Sequence, residues 1–512
     1  MRNLFARKPL EVLLEEMKGE HRLRRVLGPV QLTSLGVGAI IGAGIFVATG
    51  AAAHNVAGPA LMLSYVVSGI TCVFAALCYA EFASMVPVAG SAYTYAYATL
   101  GELFAWIIGW DLVLEYAVGS ATVATGWSGY FQNVLAKLGI TLPAAVQSSP
   151  WRFDDGRFVS THSYINLPAI VIVMIVTMIL VKGIQESASF NAAMVMIKVA
   201  AVIMVVIVGA FYIHKANWHP FAPYGWTGIT FFGKHIAGQT NAGGQPVGML
   251  AGAAIIFFAY IGFDSVSTHT EEAKNPQRDV PIGIVVSLIV CTVLYILVVA
   301  VLTGMEKYDK LDINAPVSLA FKSAGVGWAE GIIALAGVAG ITSVLLVMML
   351  SGPRVFLAMA RDGLVSRKFF ADVHPRFRTP WKSTILIGIG VIIMAGLLPI
   401  DALLLLTNIG TLFAFVIVCA AVLIMRKKYP DAERPFRCPW VPFVPIMGVL
   451  ACLMLMFSLP WDNWVRLFGW MAIGLCIYFF YGRKHSVMAT HLEHEIAAHG
   501  AGGAYVSGVN EP

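Results

Sequence analysis

The sequence predicts an all-α integral membrane protein of about twelve transmembrane helices, and three observations lead to this prediction. Hydrophobic residues make up 58% of the chain and charged residues 12%, against about 45–50% and about 25% in ordinary soluble domains. Apolar runs of about 20 residues, the length that crosses a bilayer, recur from near the N-terminus to about residue 481. Two of these runs, the first and the sixth, carry interruptions that indicate broken helices.

The predicted organisation follows from the order of the apolar runs. Spans 1–5 occupy residues 31–211, spans 6–10 occupy 246–425, and two accessory spans lie within 440–481. A segment at 1–30 precedes them and a polar, Gly/Ala-rich tail at 482–512 follows. The twelve predicted spans are 31–54, 59–85, 99–131, 163–181, 188–211, 246–271, 280–303, 329–358, 383–399, 402–425, 440–459 and 464–481.

Positive charge predicts the orientation of the spans. The N-terminal segment carries seven Lys/Arg, contains a predicted amphipathic helix near 9–18, and lacks the pattern of a cleaved signal peptide. The basic clusters RDGLVSRKFFADVHPRFRTPWK and RKKYPDAERPFR fall on the same side as the N-terminus. Because Lys and Arg accumulate on cytoplasmic loops, both termini are predicted in the cytoplasm, with the protein in the plasma (inner) membrane. The net charge of +6 reflects this topology and does not indicate nucleic-acid binding.

The remaining chemistry-bearing residues do not indicate an enzyme. Six of the seven cysteines fall in predicted spans, and neither cysteines nor histidines have metal-ligand spacing. No nucleophile–base constellation is visible in the sequence. We therefore expect no metal and no cofactor. Nothing in the sequence indicates an oligomeric state, and the only macromolecular environment that it predicts is membrane lipid.

Two predicted spans contain a break. Span 1 carries Gly36, Gly38, Gly42 and Gly44 around the stretch GAIIGAGIF, and span 6 carries FFAYIGFDSVS. A break inside hydrocarbon frees backbone N–H and C=O groups, which are costly if unsatisfied. Amides at a half-helix N-terminus suit a carboxylate, and carbonyls at a half-helix C-terminus suit an ammonium group, so the breaks predict a site for an α-amino acid. The alternative is that the glycines only let two helices pack closely.

Charged residues inside the spans are the second functional signal, because each is costly in a membrane and usually functional. Span 3 holds Asp111 and Glu115 one helical turn apart, and span 5 holds Lys198 near its middle. We expect Glu115 and Lys198 to face the bundle interior, close together, and to take up and release a proton. A static ion pair is the alternative for Lys198, and a structural role is the alternative for Asp111. Asp264, after the span 6 break, is expected to cap the second half-helix or to join a gate.

Four stretches carry a resemblance to a known family. They are GVGAIIGAGIFV, GIQESASFNAAMVMIKV, FFAYIGFDSVSTHTEEAKNPQRDVPIGI and GPRVFLAMARDGLVSRKFFADVHPRFRTP. In order along the chain, they resemble the amino acid–polyamine–organocation superfamily, and within it the bacterial members of the cationic amino acid transporter subgroup. The resemblance implies the leucine-transporter type of fold, with spans 1–5 and 6–10 as two inverted repeats and broken spans 1 and 6. It also implies proton-linked amino-acid uptake.

The resemblance also implies roles for individual residues. Backbone amides at Gly42, Ala43 and Gly44 would bind the substrate carboxylate, and Phe258 would be the aromatic gate on the outer side. The substrate amino group would be bound by carbonyls of Ile40, Phe258, Ala259 and Ile261. The candidate substrate-binding set is Ile40, Ile41, Gly42, Ala43, Gly44, Ile45, Phe258, Ala259, Tyr260, Ile261 and Met348.

The proton-coupling pair implied by the resemblance is Lys198, which stands where sodium-driven relatives hold an ion, with Glu115 near it. Some related sequences have threonine at the position of Ala43, so a relay through that hydroxyl does not carry over to this chain. In span 8, SVLLVMMLSG places Met348 or Met349 toward the substrate side chain. A bulky apolar residue there favours small neutral amino acids over arginine or lysine.

The leading hypothesis is a proton-coupled L-amino-acid transporter that works by alternating access. The alternative within transport is an exchanger of amino acids or polyamines without proton coupling. A channel would show rings of charge or a carbonyl filter, and a membrane scaffold would not need charged residues at mid-membrane depth. Both classes therefore fit the sequence less well.

Overall fold

A computed structural model gives the structure of the protein at residues 8, 27–85, 91–154, 157–183, 188–231, 234–268, 273–313, 315–377 and 379–488. The amphipathic helix predicted near 9–18 and the tail beyond residue 488 lie outside these described residues.

Helices make up most of the described chain. In chain order the α-helices are α1 (Pro29–Ile40), α2 (Thr49–Ala52), α3 (Leu61–Met85), α4 (Ser91–Thr99), α5 (Glu102–Lys137), α6 (Leu167–Lys182), α7 (Ala188–Ala210), α8 (Met249–Ile256), α9 (Ser265–Thr268), α10 (Pro276–Met305), α11 (Pro316–Ser323), α12 (Gly327–Arg361), α13 (Arg367–Phe370), α14 (Trp381–Leu397), α15 (Ile400–Lys428), α16 (Phe443–Phe457), α17 (Trp461–Ile477) and α18 (Arg483–His485). Wider π-helical turns lie at Gly44–Ala48, Ala53–Ala57 and Tyr478–Gly482, and 3₁₀ turns lie at Gly58–Ala60, Ala144–Val146, Lys215–Trp218, Phe257–Tyr260 and Tyr308–Lys310.

The all-α prediction needs one correction, because two small antiparallel sheets lie in the segments between helices. Strands β1 (Trp151–Asp154) and β2 (Arg157–Ser160) form a hairpin with Trp151 opposite Ser160. Strands β3 (Gly228–Phe231), β4 (Lys234–Thr240) and β5 (Pro246–Val247) form a three-stranded sheet in the order β3-β4-β5. Both sheets lie in Gly/Pro/aromatic-rich stretches that the apolar-run criterion reads only as connections.

The helices suit a membrane by length and composition. Among the described residues, six helical stretches of at least 18 residues are apolar enough to cross a bilayer: Pro29–Met85, Glu102–Lys137, Pro276–Met305, Gly327–Arg361, Ile400–Lys428 and Trp461–His485. Shorter apolar helices of 10–17 residues lie at Leu167–Lys182, Met194–Ala210, Met249–Tyr260, Trp381–Leu397 and Phe443–Phe457. The protein is therefore a multi-pass, mostly helical membrane protein. The count of twelve spans and the inverted repeat stay predictions.

Helix ends follow from local sequence. At the start of α6, the Asn166 side chain accepts a hydrogen bond from the Ala169 amide at 3.3 Å, and Pro168 occupies the first turn. Such a cap satisfies one of the amides that a helix start leaves without an intrahelical partner. The same helix ends at Gly183, whose φ of +81° is a conformation that glycine adopts without strain.

Helices α7 and α12, which carry the predicted site residues Lys198 and Met348, pack against α1. Helix α1 contacts α7, α10 and α12, and the longest helix, α5, contacts both α12 and α15. The π-helical segment that follows α1 contacts the 3₁₀ turn that follows α8. This packing brings the interruption in span 1 against the interruption in span 6.

Candidate functional site

The first break lies directly after α1. Helix α1 ends at Ile40, and the next residue, Ile41, is extended with φ −72° and ψ 106°. Helical backbone resumes at Gly44–Ala48, with Ala43 as its N-cap in the helical region. Because the first amides of a helical segment have no intrahelical partner, Gly42, Ala43 and Gly44 present their N–H groups at the start of the second half of span 1.

Two glycines are required at this break because other backbone and side-chain atoms come close. A Cβ on Gly44 would overlap the backbone Cα of Ala259 in span 6. A Cβ on Gly42 would lie 2.5 Å from Cγ2 of Val344 on α12. The glycines therefore have a packing role at this break, and the binding of substrate by their backbone stays a prediction.

The second break follows α8. The chain passes through the 3₁₀ turn Phe257–Tyr260, becomes extended at Ile261, and reaches Gly262 with φ +120° before α9 begins. A Cβ on Gly262 would be 2.9 Å from the Ala39 carbonyl oxygen and strained at this φ. The break in span 6 is thus pressed against the last turn of α1, whose carbonyls have no intrahelical partner.

Lys198 supplies the charge at the end of α1. Its Nζ donates hydrogen bonds to the carbonyl oxygens of Gly38 at 2.6 Å and Ile41 at 3.3 Å, and its side chain is buried. Carbonyls at a helix C-terminus carry partial negative charge and attract a cation. Gly340 on α12 gives the lysine room, since a Cβ there would be 3.2 Å from the Lys198 Cγ.

Tyr295 on α10 joins the two breaks. Its hydroxyl lies 2.7 Å from the Ile40 carbonyl oxygen at the end of α1 and 3.1 Å from the Ala259 carbonyl oxygen in the 3₁₀ turn. The ring is fully buried and packs edge-to-face against Tyr65 and Tyr260. One side chain therefore contacts two of the four carbonyls assigned to the substrate amino group.

Polar side chains also meet the carbonyls at the end of α8. The Asn408 amide on α15 donates to the carbonyls of Ala254 at 2.9 Å and Ile255 at 2.7 Å. The Ser68 hydroxyl on α3 donates to the Ala253 carbonyl at 2.6 Å. Because the Phe257 amide also donates to the carbonyls of Ala253 and Ile255, these side chains add hydrogen bonds at the end of α8, where backbone inside a membrane needs its polar groups satisfied.

Glu115 lies in a separate acidic cluster and not beside Lys198. The carboxyl groups that interact with it electrostatically are Asp111 and Asp264, and its nearest polar neighbour on α15 is Thr411. Within the described part of the chain, neither Glu115 carboxylate oxygen has a hydrogen-bond partner, and the residue is 3% exposed. The expected Glu115–Lys198 pair is therefore not formed, because the backbone carbonyls of α1 take the lysine instead.

Asp264 connects the span 6 break to α5. Its carboxylate accepts from the Gly262 amide at 3.3 Å and from the Tyr116 hydroxyl at 3.0 Å. Its backbone carbonyl accepts from the Ser267 amide at 2.9 Å, at the start of α9. The carboxylate thus bonds an amide that precedes α9, and both the expected cap of the second half-helix and the role in gating stay predictions.

The other predicted binding residues are all buried near the breaks. Ile41 and Ile45 flank the span 1 glycines, and Phe258 and Tyr260 lie in the 3₁₀ turn of span 6. The Phe258 carbonyl accepts from the Ile261 amide at 3.2 Å, so this predicted amine ligand already closes a turn. The Tyr260 hydroxyl donates to the Tyr65 carbonyl at 2.8 Å and points to α3.

On α12, the residue against the span 1 break is Val344. Met348 lies one turn further along, where its sulfur would be 3.2 Å from a Cβ on Gly119 of α5. Both residues are apolar and buried. An apolar α12 face beside the break agrees with the expectation from the sequence, but the residue in contact with Gly42 is Val344.

Sequence reasoning missed Tyr295, Asn408 and Val344. Tyr295 and Asn408 carry a usable signal, since a polar tip in an apolar span needs a partner in the bundle. Val344 has no signal of its own, because only the rotation of α12 distinguishes it from the neighbouring aliphatic residues.

The site geometry agrees with comparisons of the whole chain. Residues 27–480 match the family model described as amino acid permease. The chain belongs to this amino acid permease family. The resemblance found in the sequence motifs is thereby confirmed. The permease is a transporter by family, and members of such a family bind and move their substrates without chemical change.

Three relatives show how widely this similarity extends. The permease is 47% identical over 485 residues to a branched-chain amino acid permease of Bacillus subtilis, which covers 94% of this chain and 98% of the relative. It is 44% identical over 488 residues to a methylthioribose transporter of the same organism, covering 95% and 100%. A vacuolar cationic amino acid transporter of Arabidopsis thaliana is 30% identical over 605 residues, covering 95% and 97%.

Proposed function

We propose that this permease takes up L-amino acids together with protons by alternating access. The observation that carries the proposal is the contact of the two breaks, with a buried lysine ammonium on the carbonyls of one of them. The amides at Gly42–Gly44, at the start of a helical segment, suit the substrate carboxylate, and carbonyls of Ile40 and Ala259 suit its amino group. The proposal includes twelve spans in two inverted repeats, both termini in the cytoplasm, and the inner membrane as location.

We further infer that the substrate side chain is small and neutral. The α12 residues beside the break, Val344 and Met348, are apolar and buried, and they offer no charge to an arginine or lysine side chain. The similarity to a branched-chain amino acid permease at 47% identity supports an aliphatic side chain. Methylthioribose lacks both the carboxylate and the ammonium group that the two breaks suit, so we place it second.

Substrate class is tested first by thermal stability of the purified permease. Twenty L-amino acids and methylthioribose are each added at several millimolar, since a ligand that binds only the folded protein stabilises it by about 2.7 kcal/mol at 100 times its Kd. We expect alanine, valine, leucine or isoleucine to raise the Tm, and arginine and lysine not to. Stabilisation by arginine alone would contradict the apolar α12 argument, and stabilisation by methylthioribose alone would overturn the assignment to amino acids.

Coupling is tested in proteoliposomes with radiolabelled L-alanine and L-valine. An inward proton gradient without sodium should drive accumulation, and a protonophore should collapse it. Uptake that requires internal amino acid and ignores the gradient would replace the proposal with the exchanger.

Within this function, we assign proton coupling to Glu115 together with Lys198. A carboxylate buried in a membrane span is costly and usually functional. We expect Glu115→Gln, which copies the neutral acid, to lower proton-driven accumulation at least about tenfold while exchange of L-valine continues. Asp111→Asn, one turn away on α5, is the matched control and should stay within about twofold. Unchanged accumulation in Glu115→Gln would remove Glu115 from the coupling mechanism.

A further inference from the structure

Two of the carbonyls that are proposed to bind the substrate amino group already accept a hydrogen bond from a protein side chain. Of the carbonyls assigned to the substrate ammonium, those of Ile40 and Ala259 both lie within hydrogen-bond distance of the Tyr295 hydroxyl, at 2.7 and 3.1 Å. A tyrosine hydroxyl has a single hydrogen to donate. It therefore joins the two broken segments with one hydrogen shared between two acceptors, where an ammonium group would bring three hydrogens and a charge.

The neighbouring tyrosines make this contact specific to Tyr295. Tyr65, Tyr260 and Tyr295 form one buried cluster with ring centroids 5.4–6.1 Å apart. The Tyr260 hydroxyl donates to the Tyr65 carbonyl at 2.8 Å, and the Tyr65 hydroxyl pairs with Thr49 at 2.8 Å. Only the Tyr295 hydroxyl, among the three, reaches a carbonyl in each broken segment. Its ring is held on two sides, so the hydroxyl is fixed at the junction.

We propose that Tyr295 is a positioning residue that substitutes for the substrate ammonium. Its hydroxyl holds the two broken segments together while the transporter changes orientation without an amino acid, and it yields the carbonyls when an amino acid binds. The exchange favours the substrate because a charged donor makes roughly twice as strong a hydrogen bond as a neutral one. This inference rests on the proposed function and adds a residue that controls the return step.

For Tyr295→Phe, the inference predicts tighter binding of the substrate but less net uptake relative to exchange. Without the competing hydroxyl, Tyr295→Phe should bind L-valine about three- to tenfold more tightly, the effect of about one neutral hydrogen bond. Net uptake needs the return of the carrier without substrate, whereas exchange of internal for external valine does not. We therefore expect the ratio of net uptake to exchange to fall at least about tenfold.

A matched control is Tyr130→Phe on α5. The Tyr130 hydroxyl donates to the Phe46 carbonyl at 2.6 Å, so it bonds span 1 and does not reach span 6. This variant also loses one buried tyrosine hydroxyl that bonds a span 1 carbonyl, and it should keep the wild-type ratio of net uptake to exchange. A fall of the same size in both variants would show a general packing effect and overturn the proposal.

Other outcomes also decide the question. Weaker valine binding in Tyr295→Phe would make the hydroxyl a substrate ligand and overturn the substitution mechanism. If that variant does not fold, 3-fluorotyrosine incorporated at position 295 keeps the hydroxyl as a more acidic and stronger donor. Valine affinity should then fall, and unchanged or tighter binding would overturn the proposal. Wild-type protein that neither accumulates nor exchanges L-valine or L-alanine would instead refute the proposed function, so the two failures are distinguishable.

Discussion

Replacement of Lys198 by alanine is expected to abolish proton-driven accumulation of amino acid. The Nζ atom donates to the carbonyls of Gly38 and Ile41, directly beside the break that is proposed to bind substrate. Removal of the side chain takes away the positive charge that Lys198 places on the carbonyls at the C-terminal end of α1. It also leaves two buried carbonyls without that donor, each at a cost of about 1–3 kcal/mol. We therefore expect both a lower Tm and the loss of accumulation against a gradient.

A second substitution separates charge from proton transfer. Lys198→Arg keeps a cation at the same place, but a guanidinium does not release its proton in proteins. We expect this variant to bind and exchange L-valine while it fails to accumulate it in response to a proton gradient. Accumulation at the wild-type level in either Lys198 variant would remove the lysine from the coupling mechanism.

The control for these measurements is Lys137, the last residue of α5. Lys137 on α5 forms an ion pair with Glu330 at 2.7 Å and is about one-third exposed. The pair joins α5 to α12 outside the two breaks, and because Glu330 is buried, its loss is expected to lower the Tm. Lys137→Ala should therefore leave accumulation within about twofold of wild type, which shows that loss of a lysine charge alone does not stop transport.

The sequence predicts the fold well where a long apolar run encodes a helix. Helices α5, α10, α12 and α15 each lie within a few residues of a predicted span, because about 20 apolar residues must satisfy their own backbone inside a membrane. The two small sheets between helices, β1–β2 and β3–β5, were missed because their short strands contain no apolar run. Only turn geometry distinguishes such strands from irregular connections.

Only part of the site is predictable from the sequence, because some of its contacts depend on how distant helices pack. The breaks at Gly42 and Gly262 were expected, because glycine and a shift in hydrophobic pattern are local signals. The partners of the freed carbonyls depend on how helices far apart in sequence are rotated. Lys198 was correctly expected in the interior, but its partner is the backbone of α1, and no pattern of residue types indicates a backbone acceptor. Tyr295 was also missed: its polar tip in an apolar span indicates a partner in the bundle, but the sequence does not say which partner.

Gly44→Ala is expected to have the largest effect of any single substitution at the breaks. A Cβ on Gly44 would overlap the backbone Cα of Ala259, so no side-chain rotation can relieve the clash. The two broken segments would have to move apart, and overpacking in a close-packed interior typically costs about 1–3 kcal/mol. Because the proposed carboxylate ligands at Gly42–Gly44 and the proposed ammonium ligand Ala259 lie on opposite sides of this contact, uptake should fall below detection while a folded protein remains measurable by its Tm.

Gly42→Ala is the comparison for Gly44→Ala, because the atom nearest to its added Cβ belongs to a side chain and not to the backbone. Its Cβ would lie 2.5 Å from Cγ2 and 3.1 Å from Cβ of Val344. Val344→Ala removes the nearer atom, so the double variant should recover part of the lost uptake and Tm, with a coupling of about 0.5–3 kcal/mol. Ala259→Gly should not rescue Gly44→Ala in the same way, since the Cα remains in place. Equal rescue at both positions would mean that the two broken segments are not in backbone contact at Gly44. The proposed amino-acid site would then need a different alignment of these segments.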